Sequence, residues 1–226
     1  MTRNLLLAID TAGERCSVAV FDMGSDAILV RLDPAIGRGH AEVLMDTIEQ
    51  AMGEAGAGWG EIAKLAVGIG PGSFTGIRVA VAAARGFELS LGIPSVGVST
   101  LEAQAEPFWG EGAVWAVHDA KRGEVYAALY GPGGEERMAP RALTHEAFAA
   151  MAPGTDRLVG SGAALAAELL DVGPEHILSA EPCAPIEAIA RIGARRPLAE
   201  SPLPLYLRGA DAKAQKPLGL RAFAPT

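Results

Sequence analysis

Residues able to do chemistry are few in this chain, and each grouping lacks a member. His145-Glu146 opens the H-E-x-x-H pattern that sets two histidines one helical turn apart on zinc, but Ala149 stands where the second belongs. His40 has Leu44 one turn on, and His118 and His176 have no local partner ligand, so metal catalysis is not expected. Ser161 lies between Gly160 and Gly162, yet Val159 occupies the first glycine position of a nucleophile elbow, and Ser73 in Gly72-Ser73-Phe74 fails the same test. Residues 68–86 (GIGPGSFTGIRVAVAAARG) look like a phosphate loop entering a helix, but carry no Gly-Lys-Ser/Thr and no third glycine at dinucleotide spacing. A sparse candidate nucleotide set remains. Asp10 and Thr11 end an apolar run, Asp119 opens Asp119-Ala120-Lys121-Arg122-Gly123, and Gly160 and Gly162 would let a backbone approach a phosphate. No catalytic residue and no metal ligand is assigned.

The elements that must position these residues alternate between strand and helix signals. Asn4 to Thr11, Cys16 to Asp22 and Ala27 to Leu32 read as an antiparallel meander. Ala41 to Ala55 is helical, with Leu44, Ile48, Ala51, Met52 and Ala55 on one face and Glu42, Asp46 and Glu49 on another. Lys64 to Ile69 is a buried strand. Pro71 and Gly72 turn the chain, Ser73 or Thr75 caps a helix reaching Leu91, and Gly92 with Pro94 stops it. A strand to Val98 and a capping-box spacing at Ser99-Thr100-Leu101-Glu102 follow.

After Gly110 the order restarts. Strands are expected at Ala113 to Asp119, Val125 to Tyr130 and Met138 to Leu143, then a Thr144-capped helix to Met151 and a strand at Arg157 to Gly160. A helix at Ala163 to Leu170, a strand at His176 to Ser179 and a helix at Pro185 to Arg195 complete it. Two copies of one order predict a duplicated α/β architecture, with lobes at 1–110 and 111–226 and a cleft between them.

Composition narrows the setting. Half of the 226 residues are hydrophobic and a fifth are charged, an ordinary globular balance. No stretch approaches the roughly 18 apolar residues of a membrane span, the first residues make no signal peptide, and Cys16 and Cys183 form no framework. A cytoplasmic protein that does not use membranes is expected. The formal charge of -8 disfavours nucleic-acid binding by the whole surface. From Arg191 onward, however, seven basic residues stand against Glu200 and Asp211, a net of +5 that leaves -13 on the rest. The tail with Lys213, Lys216 and Arg221 either balances its own body or reaches an acidic partner or RNA.

The helix after the glycine loop is nearly all small apolar residues from Val79 to Ala84, so another helix can approach closely. Arg78 and Arg85 sit seven apart on one face, placed to meet Glu42, Asp46 or Glu49 of the earlier helix or a partner's acids. On this reading the glycine turn positions a docking helix.

The same residues carry a resemblance. Asp10-Thr11 with Ser17-Val18-Ala19, the run from Gly70 to Arg78, Gly97-Val98-Ser99-Thr100-Leu101, Asp119 to Tyr126 and Pro204-Leu205-Tyr206-Leu207-Arg208 resemble the TsaB (YeaZ) family across nearly the whole chain. The resemblance implies a duplicated actin/Hsp70/sugar-kinase-like (ASKHA) fold. It implies a non-catalytic subunit of the machinery that makes threonylcarbamoyladenosine in tRNA, paired with a TsaD-type transferase and joined by a TsaE-type ATPase. Alone, such a subunit is expected to form a homodimer, with tRNA engaged only within the complex. No cofactor is expected, beyond weak ATP or ADP at a partner interface. Family pairing through the two first-lobe helices puts the docking set at His40, Leu44, Ile48 and Ala51 on one, and at Ser73, Phe74, Arg78, Ala82, Ala83 and Arg85 on the other. A kinase-like enzyme is the runner-up and a glycoprotease-like peptidase a distant third, because the paired histidines of TsaD are absent.

Overall fold

The computed structural model describes residues 3–152, 154 and 156–208. Strand β1 (Leu5–Asp10) is buried on both faces, as its unbroken apolar run requires. It pairs antiparallel with β2 (Ser17–Asp22), which pairs with β3 (Ala27–Leu32), and parallel with β4 (Ile62–Gly70), which is followed by β5 (Ser95–Ser99). The sheet order is β3-β2-β1-β4-β5.

The second sheet repeats it. Strands β6 (Val114–Lys121), β7 (Glu124–Tyr130), β8 (Glu136–Thr144), β9 (Arg157–Val159) and β10 (Ile177–Ser179) stand in the order β10-β9-β6-β7-β8. Read from its other edge, that is the first sheet's topology, copied strand for strand. The third strand of this copy, expected at Met138 to Leu143, runs over nine residues as an edge strand.

Alternation along β1 sends side chains to two cores. Leu5, Leu7 and Ile9 face helices α1 (His40–Glu54) and α2 (Phe74–Leu91), while Leu6 and Ala8 meet Ile186, Ile189 and Ile192 of α6 (Ile186–Arg195). The inner face of the first sheet is thus covered by a helix from the second half of the chain. Contact is close enough that a Cβ on Gly193 would overlap the Ala66 methyl group. The short helix α3 (Thr100–Ala105) lies between the lobes, giving Ala103 to this core and Leu101 and Ala105 to the second sheet. Helices α4 (His145–Met151) and α5 (Ala163–Leu170) cover the outer face of the second sheet around Trp115, Val117 and Phe148.

Ser73 caps α2 by accepting from the Gly76 amide (3.2 Å), and Thr144 caps α4 by accepting from the Ala147 amide (3.2 Å). The box expected at Ser99 does not form, because its hydroxyl has no hydrogen-bond partner. No helix among the described residues is long and apolar enough to cross a membrane.

Candidate functional site

The glycine loop between β4 and α2 spends its polar groups on its own chain. The Ser73 amide donates to the Ala12 carbonyl (2.7 Å), the Thr11 hydroxyl to the Gly76 carbonyl (2.7 Å) and the Thr100 hydroxyl to the Pro71 carbonyl (2.7 Å). A Cβ on Gly72 would sit 2.5 Å from the Ala12 carbonyl oxygen, and one on Gly76 would overlap that of Thr11. The glycines therefore exist for backbone-to-backbone contact between this loop and the end of β1. Two of the amides that could face a phosphate, those of Ser73 and Gly76, already have protein acceptors. The loop is a lock that seats the start of α2.

The candidate nucleotide residues do not assemble an open site. Asp10 is buried and accepts from the Ala12 amide (3.1 Å), and Thr11 is committed to Gly76. The gap beside Asp10, closed over by Pro182 and Cys183, is about 50 Å³. Ligand pockets run from about 300 Å³ upward, so this one fits little more than water. Asp119 turns to its own hairpin, accepting from the Lys121 amide (2.8 Å) and pairing with its ammonium group (2.7 Å). Gly160 and Gly162 press on β6 instead: Cβ atoms there would lie 2.5 Å from the Val117 carbonyl oxygen and 2.9 Å from the Asp119 nitrogen.

A larger cavity of about 470 Å³ opens between the lobes beside α6, where Arg15, Arg31 and Asp33 of the first lobe, with Glu187 and Arg191 of α6, face Gly160 and Ser179 of the second. Its charges are mutually engaged. Arg31 bridges Asp33 (2.8 Å) and Glu187 (2.5 Å), and Arg191 clasps Glu106 through two nitrogens (2.7 and 2.6 Å). Neither this network nor the His118–Gln104 hydrogen bond (2.6 Å), which continues from Gln104 to the Glu181 carbonyl (2.9 Å), was visible in the sequence. Apart from Arg31–Asp33, they join residues 14 to 156 positions apart. Among the described residues no group of three or more His, Cys, Asp or Glu side chains is placed to hold a metal ion.

Two buried groups between the lobes make opposite demands on pH. Burial pushes the Asp10 carboxyl up to about 6, with the Ala12 and Thr11 amides opposing, and burial pushes His118 down to about 4. A folded carboxyl that holds its proton more tightly than the unfolded one adds stability fully below its ordinary 3.8 and loses it as pH rises through about 6. A folded imidazole with a lowered value adds stability fully above 6.5 and loses it as pH falls through about 4. The contributions oppose each other over the same window. In urea titrations between those limits, Asp10→Asn is expected to leave stability rising with pH and His118→Gln to leave it falling. Each change is on the order of 3 kcal/mol across the window, with the parent flatter than either.

The docking set divides between core and surface. His40, Leu44, Ile48 and Ala51 are buried, the last three in the first core, so they hold α1 in place and offer a partner nothing. On α2, Ala83 is half-buried against the same core, and Val79, Ala80, Val81 and Ala84 also turn inward. The second alanine face is narrower than the sequence suggested, because Val79 to Val81, Ala83 and Ala84 all pack against the first core. What faces outward is a stripe at helical spacing: Phe74 (54 % exposed), Arg78, Ala82, Arg85 and Leu89 (89 % exposed). Met45, half-exposed on α1, flanks the buried Leu44–Ile48 face, a position that helical spacing alone leaves undecided between core and surface.

Arg78 does not pair with α1. Its guanidinium lies 3.7 Å over the Phe74 ring and its Nε donates to the Tyr206 hydroxyl (2.8 Å). Arg85 makes no ion pair among the described residues, and neither do Glu42, Asp46 and Glu49, all exposed on α1. An outward basic stripe and an outward acidic face lie on adjacent helices of one lobe. Lys213, Lys216 and Arg221 lie outside the described residues.

Two sheets of one repeated topology, with helices between and outside them, define a duplicated α/β protein of the actin/Hsp70/sugar-kinase class. The profile of the family described as "TsaD: tRNA N6-adenosine threonylcarbamoyltransferase" matches residues 34–170. The Escherichia coli K12 tRNA threonylcarbamoyladenosine biosynthesis protein TsaB is 40 % identical over 128 residues, 55 % of this chain and 54 % of that one. An uncharacterized Mycobacterium bovis protein, Mb3455c, is 35 % identical over 217 residues, 92 % of this chain and 93 % of that one. A Pseudomonas aeruginosa crystal structure, described as similar to peptidase YEAZ, superposes with a TM-score of 0.75 at 29 % identity, covering 91 % of this chain and 100 % of that one. The chain belongs to the TsaB/YeaZ family. It spans about half the length of the curated TsaB relatives it matches first.

Proposed function

We propose that this chain is a cytoplasmic scaffold subunit of tRNA threonylcarbamoyladenosine synthesis, docking to and supporting a TsaD-type transferase while turning over no substrate itself. The observation that carries the reading is the outward face of α1 and α2, with Arg85 and three carboxylates lacking ion-pair partners among the described residues. Opposite charges on adjacent helices suit pairing about a two-fold axis, in which each copy's basic stripe meets the other's acidic face. A homodimer of the isolated chain and a pair with a paralogue of similar fold would use that one surface. The same face would serve whichever partner is present, so the homodimer gives way when the transferase binds.

The narrowness of the gap beside Asp10 supports a non-catalytic role. Acyl or phosphoryl transfer needs a donor held against its acceptor and groups placed on the developing charge. About 50 Å³ beside an aspartate admits neither. A nucleotide that enters the assembly does so at the partner interface, and a TsaE-type ATPase and tRNA join only there. Docking that selects the transferase's working conformation accounts for dependence of activity on a subunit with no chemistry of its own.

The test mixes purified TsaD-type partner, TsaE-type ATPase, tRNA, ATP and the threonylcarbamoyl donor with and without this chain. Modified nucleoside is expected only with the chain, and none from the chain without its partner. Equal yield in both tubes would sink the scaffold role. Tight binding of ATP and magnesium by the lone chain, seen by calorimetry, would promote a kinase-like reading.

A further inference from the structure

After α6 the chain does not stop at the first sheet. Pro202 packs on Gly97 of β5, where a Cβ would come within 3.1 Å of it, and Ser201 donates to Glu88 of α2 (2.9 Å). The β4–β5 ladder is irregular between Gly68 and Gly70, and there the Ile69 carbonyl accepts from the Leu205 amide (2.8 Å). One residue later, Tyr206 stands against the start of α2. Its ring lies 5.2 Å from that of Phe74, and its hydroxyl takes the Arg78 hydrogen bond. Two residues further, Arg208 reaches the other lobe. It pairs with Glu124 at the start of β7, points toward the Ala120 carbonyl (3.4 Å) and lies 5.8 Å from the Tyr126 ring.

We propose that residues 201–208 are a clasp that ties the first turn of α2, in one lobe, to the β6–β7 hairpin, in the other. Geometry carries the inference. Four residues hold anchors in both lobes, an extended span of about 10 Å between Leu205 and Arg208. So short a segment has little slack, and a shift of the hairpin relative to β4 must move Tyr206 or break an anchor. Tyr206 in turn props the Arg78 guanidinium over Phe74, at one end of the outward stripe of α2. The clasp thus sets the shape of that end according to the relative position of the lobes. It operates in the chain alone, so its failure would leave the docking reading standing.

Amide hydrogen exchange on the full-length chain, read residue by residue, tests the clasp across the lobes. Arg208→Glu, a change at the second-lobe anchor, is expected to speed exchange of the Leu205 amide, held by the first lobe, by about tenfold or more. Adding Glu124→Arg is expected to restore most of that protection by rebuilding the pair with its charges exchanged. In the other direction, Tyr206→Ala is expected to speed exchange in the β6–β7 hairpin. Amides of β1 are the internal reference, and Arg208→Gln replaces the charge reversal if their protection falls too. Exchange at Leu205 that stays at the parent rate, or that the exchanged pair fails to slow, would overturn the clasp.

Discussion

Ala82→Arg is expected to weaken pairing of this chain by at least about thirtyfold, corresponding to roughly 2 kcal/mol, the scale of a disrupted interface hot spot. Ala82 is exposed at the middle of the stripe, between Arg78 and Arg85. A third guanidinium there adds like charge beside two others and holds a facing helix away from the one small residue that lets it approach. Because Ala82 points outward, the folded chain should be unaffected. Its neighbour Ala83 is half-buried against the first core, and an arginine there would mix docking with stability. Sedimentation velocity over a concentration series reads self-association, and the reconstituted modification assay reads the partner. An unchanged dimer and full activity would remove this face of α2 from the interface.

Gly76→Ala is expected to cost about 3 kcal/mol or more, among the largest effects of a single methyl group in the molecule. Its Cβ would overlap the Thr11 carbonyl oxygen, which ends the central strand and has no room to retreat. The Thr11 hydroxyl bond to Gly76 would be lost with it. Gly86, ten residues on in the same helix, is the control. Nothing lies within 4 Å of a Cβ built there, so Gly86→Ala should stabilise by about 0.5–1 kcal/mol through helix propensity alone. Urea denaturation of both variants separates the cases. A Gly76→Ala protein as stable as its parent would mean that the loop does not lock α2 onto β1.

Local order was legible because it is written in local periodicity. Alternation in Cys16 to Asp22, the four-residue spacing from Leu44 to Ile48 and the Gly92-Pro94 stop each report one residue's relation to its near neighbours, and the structure has those elements in that order. Duplication followed from the same signals read twice. Periodicity reports that a face is buried, not what buries it. Leu44, Ile48 and Ala51 therefore looked equally suited to a partner and to the sheet, and only packing assigned them to the sheet. Arg78 looked ready for the acids of α1 but stacks on Phe74 and bonds Tyr206, 128 positions away.

The sequence by itself determined that this protein is a duplicated α/β chain, since the repeated order of elements rests on residue types at short spacing. The tertiary structure decided the rest. It placed α6 across the first sheet, spent the glycine loop on Thr11 and Ala12, narrowed the gap beside Asp10 and carried residues 201–208 from one lobe to the other. Each of these is a contact between backbones or side chains far apart along the chain. Its energy depends on fit at distances of a few ångströms, which no local pattern encodes.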